Sequence, residues 1–522
     1  MATEPETRED DESRTADAGP EPPRSKRTSP RPLLLRLHFY AGLLVAPFLF
    51  VAAFSGMLYA ASIQVEKFVY DHELNVPVGE EHLPIDEQIA AARAEFPERT
   101  VNAVRPASEE GTTTRVLLDA PELGPSQQLA IFVDPYTAEV RGDLAAYGSS
   151  SALPFRWWID ELHRNLHLGE FGRHYSELAA SWLGVIALVG IVLWIGQRRT
   201  RRRVRRTLLP ERGLKGRRAT LTWHGTIGLW VALVLCFLSV TGLTWSQHAG
   251  EHITQLRGEM SWQTPAVDTS PPGAGDSSGH STHGGRDDGE DHGDHGEHSE
   301  HGDHSEHGAH GQDEAHSQEI TAGQALESGR SVGLRDPVEI VYPTEPGAAF
   351  AVKEVQAQWP TQVDAVAVDP TTGEITDTVR FDDYSVVAKL ARWGVDGHMG
   401  LLFGLPNQLV LIGVALSLMT LIVLGYRMWW LRRPTRGGAL TWGRPPRRGA
   451  WRGAPWAVLL PLLAVAAVLG WYVPLLGLSL LAFLTVDAAL GLLHHRRGAA
   501  RKPAPAEAGE SATAEGERPG GP

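Results

Sequence analysis

Four histidines occupy equivalent positions of an internal repeat. His38 and His224 each begin an apolar run, and each is followed by a glycine four residues later and by a Ser/Thr-Gly pair whose glycine is 18 residues away. His163 and His398 each come 29 residues after the aspartate of an Asp-Pro turn motif. The repeat predicts a tandem duplication of one unit that comprises a helix, an external domain and a second helix.

In such a duplication the equivalent histidines meet around a pseudo-twofold axis, giving one pair near each end of the helices. Two neutral imidazoles that face each other across an apolar bundle suit the axial positions of a six-coordinate b-type haem. The sequence therefore predicts two haem b groups, one held by His38 with His224 and one by His163 with His398. His167 follows His163 by four residues and is predicted to share its helical face, so either of these two could be the ligand.

A histidine near a helix end can also be a simple interfacial residue, because its ring reaches the headgroup region. Four of them at equivalent positions favour the ligand role, since ionisable residues in spanning bundles are usually functional. His174 has no counterpart in the repeat and is predicted to be interfacial. His248 and His252 also lack counterparts and are predicted to lie on the surface.

The elements that must position these histidines are six apolar runs long enough to cross a bilayer. The last two are separated only by a short junction, which predicts a helical hairpin. The single cysteine, Cys236, lies in the third run, and no C-x-x-C-H motif is present, so any haem is predicted to be held by side chains alone. The runs are about 37–61, 176–196, 221–246, 406–430, 455–472 and 474–493.

Charge predicts the orientation. Lys/Arg residues are concentrated before the first run and after the second, fourth and sixth, and cytoplasmic loops carry such an excess. The segment 62–175 has 19 Asp/Glu against 9 Lys/Arg, and 247–405 has 28 against 8. We therefore expect a multi-pass protein of a bacterial-type cytoplasmic (inner) membrane with both termini cytoplasmic, in which the first run is a signal anchor.

A histidine-rich segment lies between 270 and 318 and contains ten of the 22 histidines. Its Gly, Ser, Asp and Glu content predicts disorder. Imidazoles among carboxylates offer weak sites for Fe, Cu or Zn, so a metal-collecting arm is predicted; the alternative is a solvated acidic linker. Seven of the histidines recur at every third residue: His292, His295, His298, His301, His304, His307 and His310.

The predicted fold class is an all-α polytopic membrane bundle, with a duplicated four-helix core plus a C-terminal helical hairpin, and two small extracytoplasmic α/β domains. Neither domain shows a catalytic constellation. The predicted segments are a disordered cytoplasmic tail 1–32, a first span 33–61, external domain 62–160, a second span with its histidine motif 161–196, a basic loop 197–220, a third span 221–246, a histidine-rich disordered linker 247–319, external domain 320–392, a fourth span with its histidine motif 393–433, a hairpin 455–493 and a disordered tail 494–522.

The chain resembles the PepSY-associated transmembrane family, whose members include iron-regulated membrane proteins and siderophore-iron reductases. The resemblance implies a four-helix core with two PepSY-like external domains and, for the reductases, two b haems that pass electrons outward. The histidine-rich insertion and the hairpin 455–493 depart from the minimal pattern. The matching motifs are RLHFYAG at 36–42, VDPYTAEV at 133–140, ELHRNLHLG at 161–169, WHGTIG at 223–228, VDPTTGEI at 368–375 and GHMGLLFG at 397–404.

The leading hypothesis is a transmembrane haem b oxidoreductase that reduces an external metal substrate, such as a ferric siderophore or another iron chelate. Reduction would release the metal because Fe(II) is held less tightly by hard oxygen ligands. The cytoplasmic loops contain no nucleotide-binding motif, so a quinol or a separate reductase is the expected donor. The alternatives are a non-redox metal permease or metal-binding protein, and a PepSY-type membrane regulator of a peptidase. Membrane lipid is the predicted surrounding, and no nucleic-acid partner is predicted.

Overall fold

The computed structural model describes residues 30–148, 150–198, 205–271, 319–432 and 456–499. Among the helices of these ranges, five are long and apolar enough to cross a membrane, so the protein is a multi-pass membrane protein. The fifth predicted run, 455–472, is a shorter apolar helix. The five candidate spans are Ala46–Val69, Gly169–Gln197, Gly216–Thr244, Leu405–Trp430 and Pro474–Gly491.

The first predicted span is divided between two helices. Pro47 lies in the first turn of the second of them, where its missing N–H is tolerated, and the helices meet at Val45. The helices of the bundle and its connections are α1 (Arg31–Leu44), α2 (Ala46–Val69), α3 (Asp71–Leu74), α5 (Pro154–Arg164), α6 (Gly169–Arg198), α7 (Arg205–Leu208), α8 (Gly216–Thr244), α9 (Gln247–Glu259), α11 (Val386–His398), α12 (Leu405–Trp430), α13 (Trp456–Tyr472) and α14 (Pro474–Ala499).

Four long helices form a closed ring. Helix α2 packs on α6 and α12, and α8 packs on the same two helices from the other side. Helix α1 packs on α6 beside this ring. Each of the four helices thus presents one face to the interior, where equivalent side chains of non-adjacent helices can meet.

An eight-stranded antiparallel sheet lies outside the ring, and two helices, α4 (Ile85–Glu95) and α10 (Ala322–Ser331), accompany it. The two predicted external domains are therefore not separate: each contributes four strands, and β1 pairs with β5 to join them. The strands, in the order β4-β3-β2-β1-β5-β6-β7-β8, are β4 (Val140–Tyr147), β3 (Gln127–Val133), β2 (Thr114–Leu118), β1 (Val101–Arg105), β5 (Val338–Val341), β6 (Phe350–Glu354), β7 (Ala365–Val368) and β8 (Ile375–Val379).

The two faces of the sheet have different roles. On one face, α4 and α10 share a single core with strands of both halves, which includes Ile89, Leu326 and Ile340. On the other face, a smaller cluster around Phe132 and Leu153 packs against Tyr70 at the end of α2. Alternating side chains of antiparallel strands can serve two faces in this way, so the sheet is both closed by helices and attached to the bundle.

The C-terminal hairpin is docked on the ring through polar contacts. Trp182 of α6 donates its indole N–H to Ser479 of α14 over 2.9 Å. Arg36 of α1 forms an ion pair with Asp487 of α14, and Arg36 is almost fully buried. A lone charge in a spanning helix is costly, so the pair fixes the position of α14 beside α1.

The structure corrects one predicted segment and leaves others outside its described residues. The linker 247–319 was predicted to be disordered from its start, but its first part is the helix α9, which folds back on α6 and α8. The tail 1–29, the loop residues 199–204 and 433–455, the segment 272–318 with all seven regularly spaced histidines, and the tail 500–522 lie outside the described residues.

Candidate functional site

The bundle has two ends, and a predicted histidine pair lies at each. We call the end that adjoins the strands the sheet end and the opposite one the far end. His163 and His398 belong to α5 and α11, which connect the strands to the ring, so they lie at the sheet end. His38 and His224 lie toward the far end.

The far-end pair is oriented by backbone carbonyls. The rings of His38 and His224 have centroids 6.3 Å apart and an interplanar angle of 78°. The Nδ1 of His38 lies 3.1 Å from the carbonyl oxygen of Ile186 in α6. The Nδ1 of His224 lies 3.0 Å from the carbonyl oxygen of Leu421 in α12. A carbonyl oxygen can only accept, so Nδ1 carries the hydrogen in both rings and Nε2 presents a lone pair.

The sheet-end pair is oriented by hydroxyls. The Nδ1 of His163 lies 3.0 Å from Ser55 Oγ, and the Nδ1 of His398 lies 2.6 Å from Thr241 Oγ1. Each hydroxyl donates its own hydrogen to the carbonyl four residues earlier in its helix, over 2.9 Å in both cases. The ring Nδ1 must therefore be the donor to the hydroxyl oxygen, and Nε2 is again the free lone pair.

Glycines lie against all four rings. A Cβ at Gly56 would be 3.0 Å from Cε1 of His163, and one at Gly190 would be 3.1 Å from Cε1 of His38. The corresponding distances are 3.6 Å at Gly242 and 3.9 Å at Gly425. The rings thus approach helix backbones that carry no side chain at these positions. By contrast, Gly42, which was predicted to admit a flat macrocycle, has open space at its Cβ position.

The contacts at both ends repeat at two fixed offsets in sequence. His38, Ser55 and Gly56 correspond to residues 186 positions later. His163, Ile186 and Gly190 correspond to residues 235 positions later. The second set of contacts is therefore a copy of the first, made by His224, Thr241, Gly242, His398, Leu421 and Gly425.

A cavity inside the ring brings His163 and His398 together. Its wall is mainly apolar and rich in small residues, with polar groups contributed from the sheet end by Arg173 and Glu177. Two imidazoles with free Nε2 atoms and a wall of small apolar side chains fit a planar macrocycle whose metal takes nitrogen ligands on both faces. Lining residues include Leu49, Ala53, Gly56, Ala60, Ala180, Leu235, Gly242, Val414 and Leu418.

His167 does not share the face of His163. Helix α5 ends at Arg164, and Leu166 and His167 have positive φ angles of 57° and 54°, so the chain turns away after Asn165. His167 is exposed, and its ring lies 4.9 Å from that of Trp158. The predicted helical relationship between His163 and His167 is therefore wrong, because it assumed that α5 continued for another turn.

Sequence reasoning missed the groups that hold the four rings. Ser55 and Thr241 were noticed only as markers of the repeat, yet they accept the imidazole N–H of the sheet-end pair. The carbonyls of Ile186 and Leu421 carry no side-chain signal at all. The glycine four residues after each carbonyl could have been found, since Gly190 and Gly425 keep the 235-residue offset.

The residues that could bind a free metal ion are fewer than the histidine count suggests. Within the described ranges, no group of three or more His, Cys, Asp or Glu side chains is arranged to hold an ion. The seven histidines from His292 to His310 lie outside those ranges.

Two comparisons with known proteins bear on this geometry. A family model described as the PepSY-associated TM region matches residues 35–432, which is about three-quarters of the chain. None of the curated proteins matches the chain. The match includes all four ring-forming helices, the whole sheet and both histidine pairs.

Proposed function

The chain belongs to the family of PepSY-associated TM regions, and we propose that it is a transmembrane haem b oxidoreductase that passes electrons to a metal substrate outside the cytoplasm. The observation that carries this proposal is the pair of facing imidazoles at each end of one bundle. In all four rings Nδ1 is engaged and Nε2 is left free. We further propose that the four-helix core is a duplicated unit, because the contacts repeat at two constant offsets.

The separation of the far-end rings supports axial ligation. Two metal–imidazole bonds of about 2 Å each, together with the distance from each ring centre to its Nε2, account for centroids 6.3 Å apart. His38 and His224 would hold one haem, and His163 and His398 the other. Each haem, when bound, supplies reversible one-electron chemistry.

The residues around the ligands favour one direction of electron movement. His38 and His224 donate to backbone carbonyls, whereas His163 and His398 donate to hydroxyls that are weaker acceptors. A stronger acceptor at Nδ1 makes the imidazole a more electron-rich ligand, which favours the oxidised state of the metal. The far-end site would then have the lower potential, and electrons would move toward the sheet end.

The charge pattern predicts that this movement is outward. The Lys/Arg-rich segments adjoin the far end, so the far end is cytoplasmic if the positive-inside rule holds. The proposed substrate is a ferric siderophore or another iron chelate, which loses affinity for the metal on reduction. A quinol or a separate reductase would supply the electrons at the far end.

The proposal is tested by the haem content of the full chain, purified in detergent from haem-replete cells. We expect two haems per chain and a dithionite-sensitive low-spin spectrum. His38→Ala and His398→Ala should each remove about one haem, whereas the matched control His82→Ala, in the external region, should keep both. A colourless parent protein would overturn the proposal and favour a permease or a regulator.

A further inference from the structure

A third pair of histidines lies at the sheet end. His174 of α6 and His248 of α9 face each other, with their Nε2 atoms 3.2 Å apart and their ring centroids 5.1 Å apart. Both side chains are half-buried. Neither belongs to the repeat: the residues at the equivalent positions are Leu409 and Ser62. The predictions of an interfacial His174 and a surface His248 did not anticipate that the two rings would meet.

Each ring is fixed by its own element. The Nδ1 of His174 lies 2.7 Å from the carbonyl oxygen of Glu170, one turn earlier, so Nδ1 carries the hydrogen and Nε2 directs a lone pair at His248. Glu177, which is fully buried, accepts the backbone N–H groups of His248 and Ala249 over 3.0 and 3.1 Å. This carboxylate fixes the first turn of α9 against α6 and places a negative charge less than one helical turn from His174.

We propose that His174 and His248 bind a transition-metal ion, with Cu²⁺ bound most tightly. Two imidazoles that share an ion through bonds of about 2.0–2.1 Å have nitrogens separated by about the 3.2 Å seen here. Imidazole suits Cu, Zn and Ni, and divalent copper has the highest affinity in that series. The Nδ1 contact of His174 with a carbonyl is the arrangement that orients a metal-binding histidine.

The site is open. Within the described part of the chain, no third His, Cys, Asp or Glu completes a closed ligand set around the pair. Two protein ligands leave positions for water or for donor atoms of an incoming complex, which suits a site of transit. Glu177 and Gln247 also line the cavity of His163 and His398, so a bound ion would lie beside the sheet-end pair. Ion binding itself requires no haem.

The test uses Cu²⁺ alone as the probe and the full chain in detergent. The ten histidines between 280 and 316 are replaced by asparagine to remove competing weak sites. We expect one tight Cu²⁺ per chain, with an electron paramagnetic resonance spectrum split by two nitrogens. His174→Ala and His248→Asn should each weaken Cu²⁺ binding at least about tenfold, a loss of about 1.4 kcal/mol. The control His252→Ala, one turn further along α9, should bind as the parent does.

Unchanged Cu²⁺ affinity in both site variants would overturn the inference and leave the pair as an N–H···N hydrogen bond between imidazoles. His248→Asn retains a polar side chain, so a folding defect in one variant does not decide the outcome. The two proposals fail separately: a chain that lacks haem can still bind Cu²⁺, and loss of the copper site leaves the number of haems at two.

Discussion

The Nδ1 of His398 lies 2.6 Å from the hydroxyl of Thr241, and the equivalent Nδ1 of His163 lies 3.0 Å from the hydroxyl of Ser55. These hydroxyls come from α8 and α2, whereas the rings come from α11 and α5. The imidazole orientation at the sheet end therefore depends on contacts between separate helices, which sequence spacing alone does not reveal.

Removing the hydroxyl at Thr241 is expected to raise the reduction potential of the sheet-end site. In Thr241→Val the His398 ring loses its acceptor and becomes a less electron-rich ligand, which disfavours the oxidised metal. A shift on the order of 60 mV would correspond to a tenfold change in a one-electron equilibrium. A redox titration of the absorption spectrum measures it. Thr241→Ser should behave as the parent, and Thr244→Val is the control, since Thr244 touches no histidine ring in the printed contacts. Equal potentials in all three variants would rule out this tuning.

The two glycines at the sheet end should respond differently to alanine. A Cβ at Gly56 would press on His163 at 3.0 Å, whereas one at Gly242 would make an ordinary 3.6 Å contact with His398. Alanine stabilises a helix relative to glycine by roughly 0.5–1 kcal/mol, so lost binding cannot come from a weaker helix. We expect Gly56→Ala to lower occupancy of one haem and Gly242→Ala to retain both. The haem-to-protein ratio decides, and the reverse order would contradict the contact geometry.

Asp487→Asn should destabilise the protein through Arg36. The substitution leaves a buried guanidinium without its carboxylate partner, and breaking such a pair costs about 3–5 kcal/mol. The thermal unfolding midpoint in detergent should fall markedly. Replacing both residues by apolar ones, in Arg36→Met with Asp487→Leu, should recover most of the loss because no charge then remains unpaired. A double variant as unstable as Asp487→Asn would show that the ion pair is not what fixes α14.

The sequence predicted the histidine pairs because the residues of both copies are constrained by the same chemistry, and a repeat makes that constraint visible. It did not predict the joined sheet. The pairing of Ala103 with Val341 links strands more than 200 residues apart, and no local pattern determines such a register. The pair of His174 and His248 was missed for a similar reason: it depends on α9 folding back onto Glu177, within a segment whose composition indicates disorder.

Acid should loosen the junction between the halves of the sheet. Glu339 of β5 pairs with Arg105 of β1 and, over 2.9 Å, with Lys353 of β6. Burial alone would raise the pKa of Glu339, but the two cations outweigh it and lower the pKa from 4.5 to about 2. A carboxyl with a lowered folded-state pKa stabilises the fold fully above the unfolded value, and loses that contribution as the pH falls through the folded value.

Between pH 4.5 and about 2, the parent should therefore lose roughly 3 kcal/mol from this group. Thermal unfolding midpoints of the full chain across this range measure the effect. Glu339→Gln should be less stable than the parent at neutral pH and should depend less on acid, because its amide does not titrate. Glu122→Gln, which removes an exposed pair with Arg99, should follow the parent closely, since exposed pairs contribute little. Parallel pH profiles for the parent and Glu339→Gln would show that the junction owes its acid sensitivity to other groups.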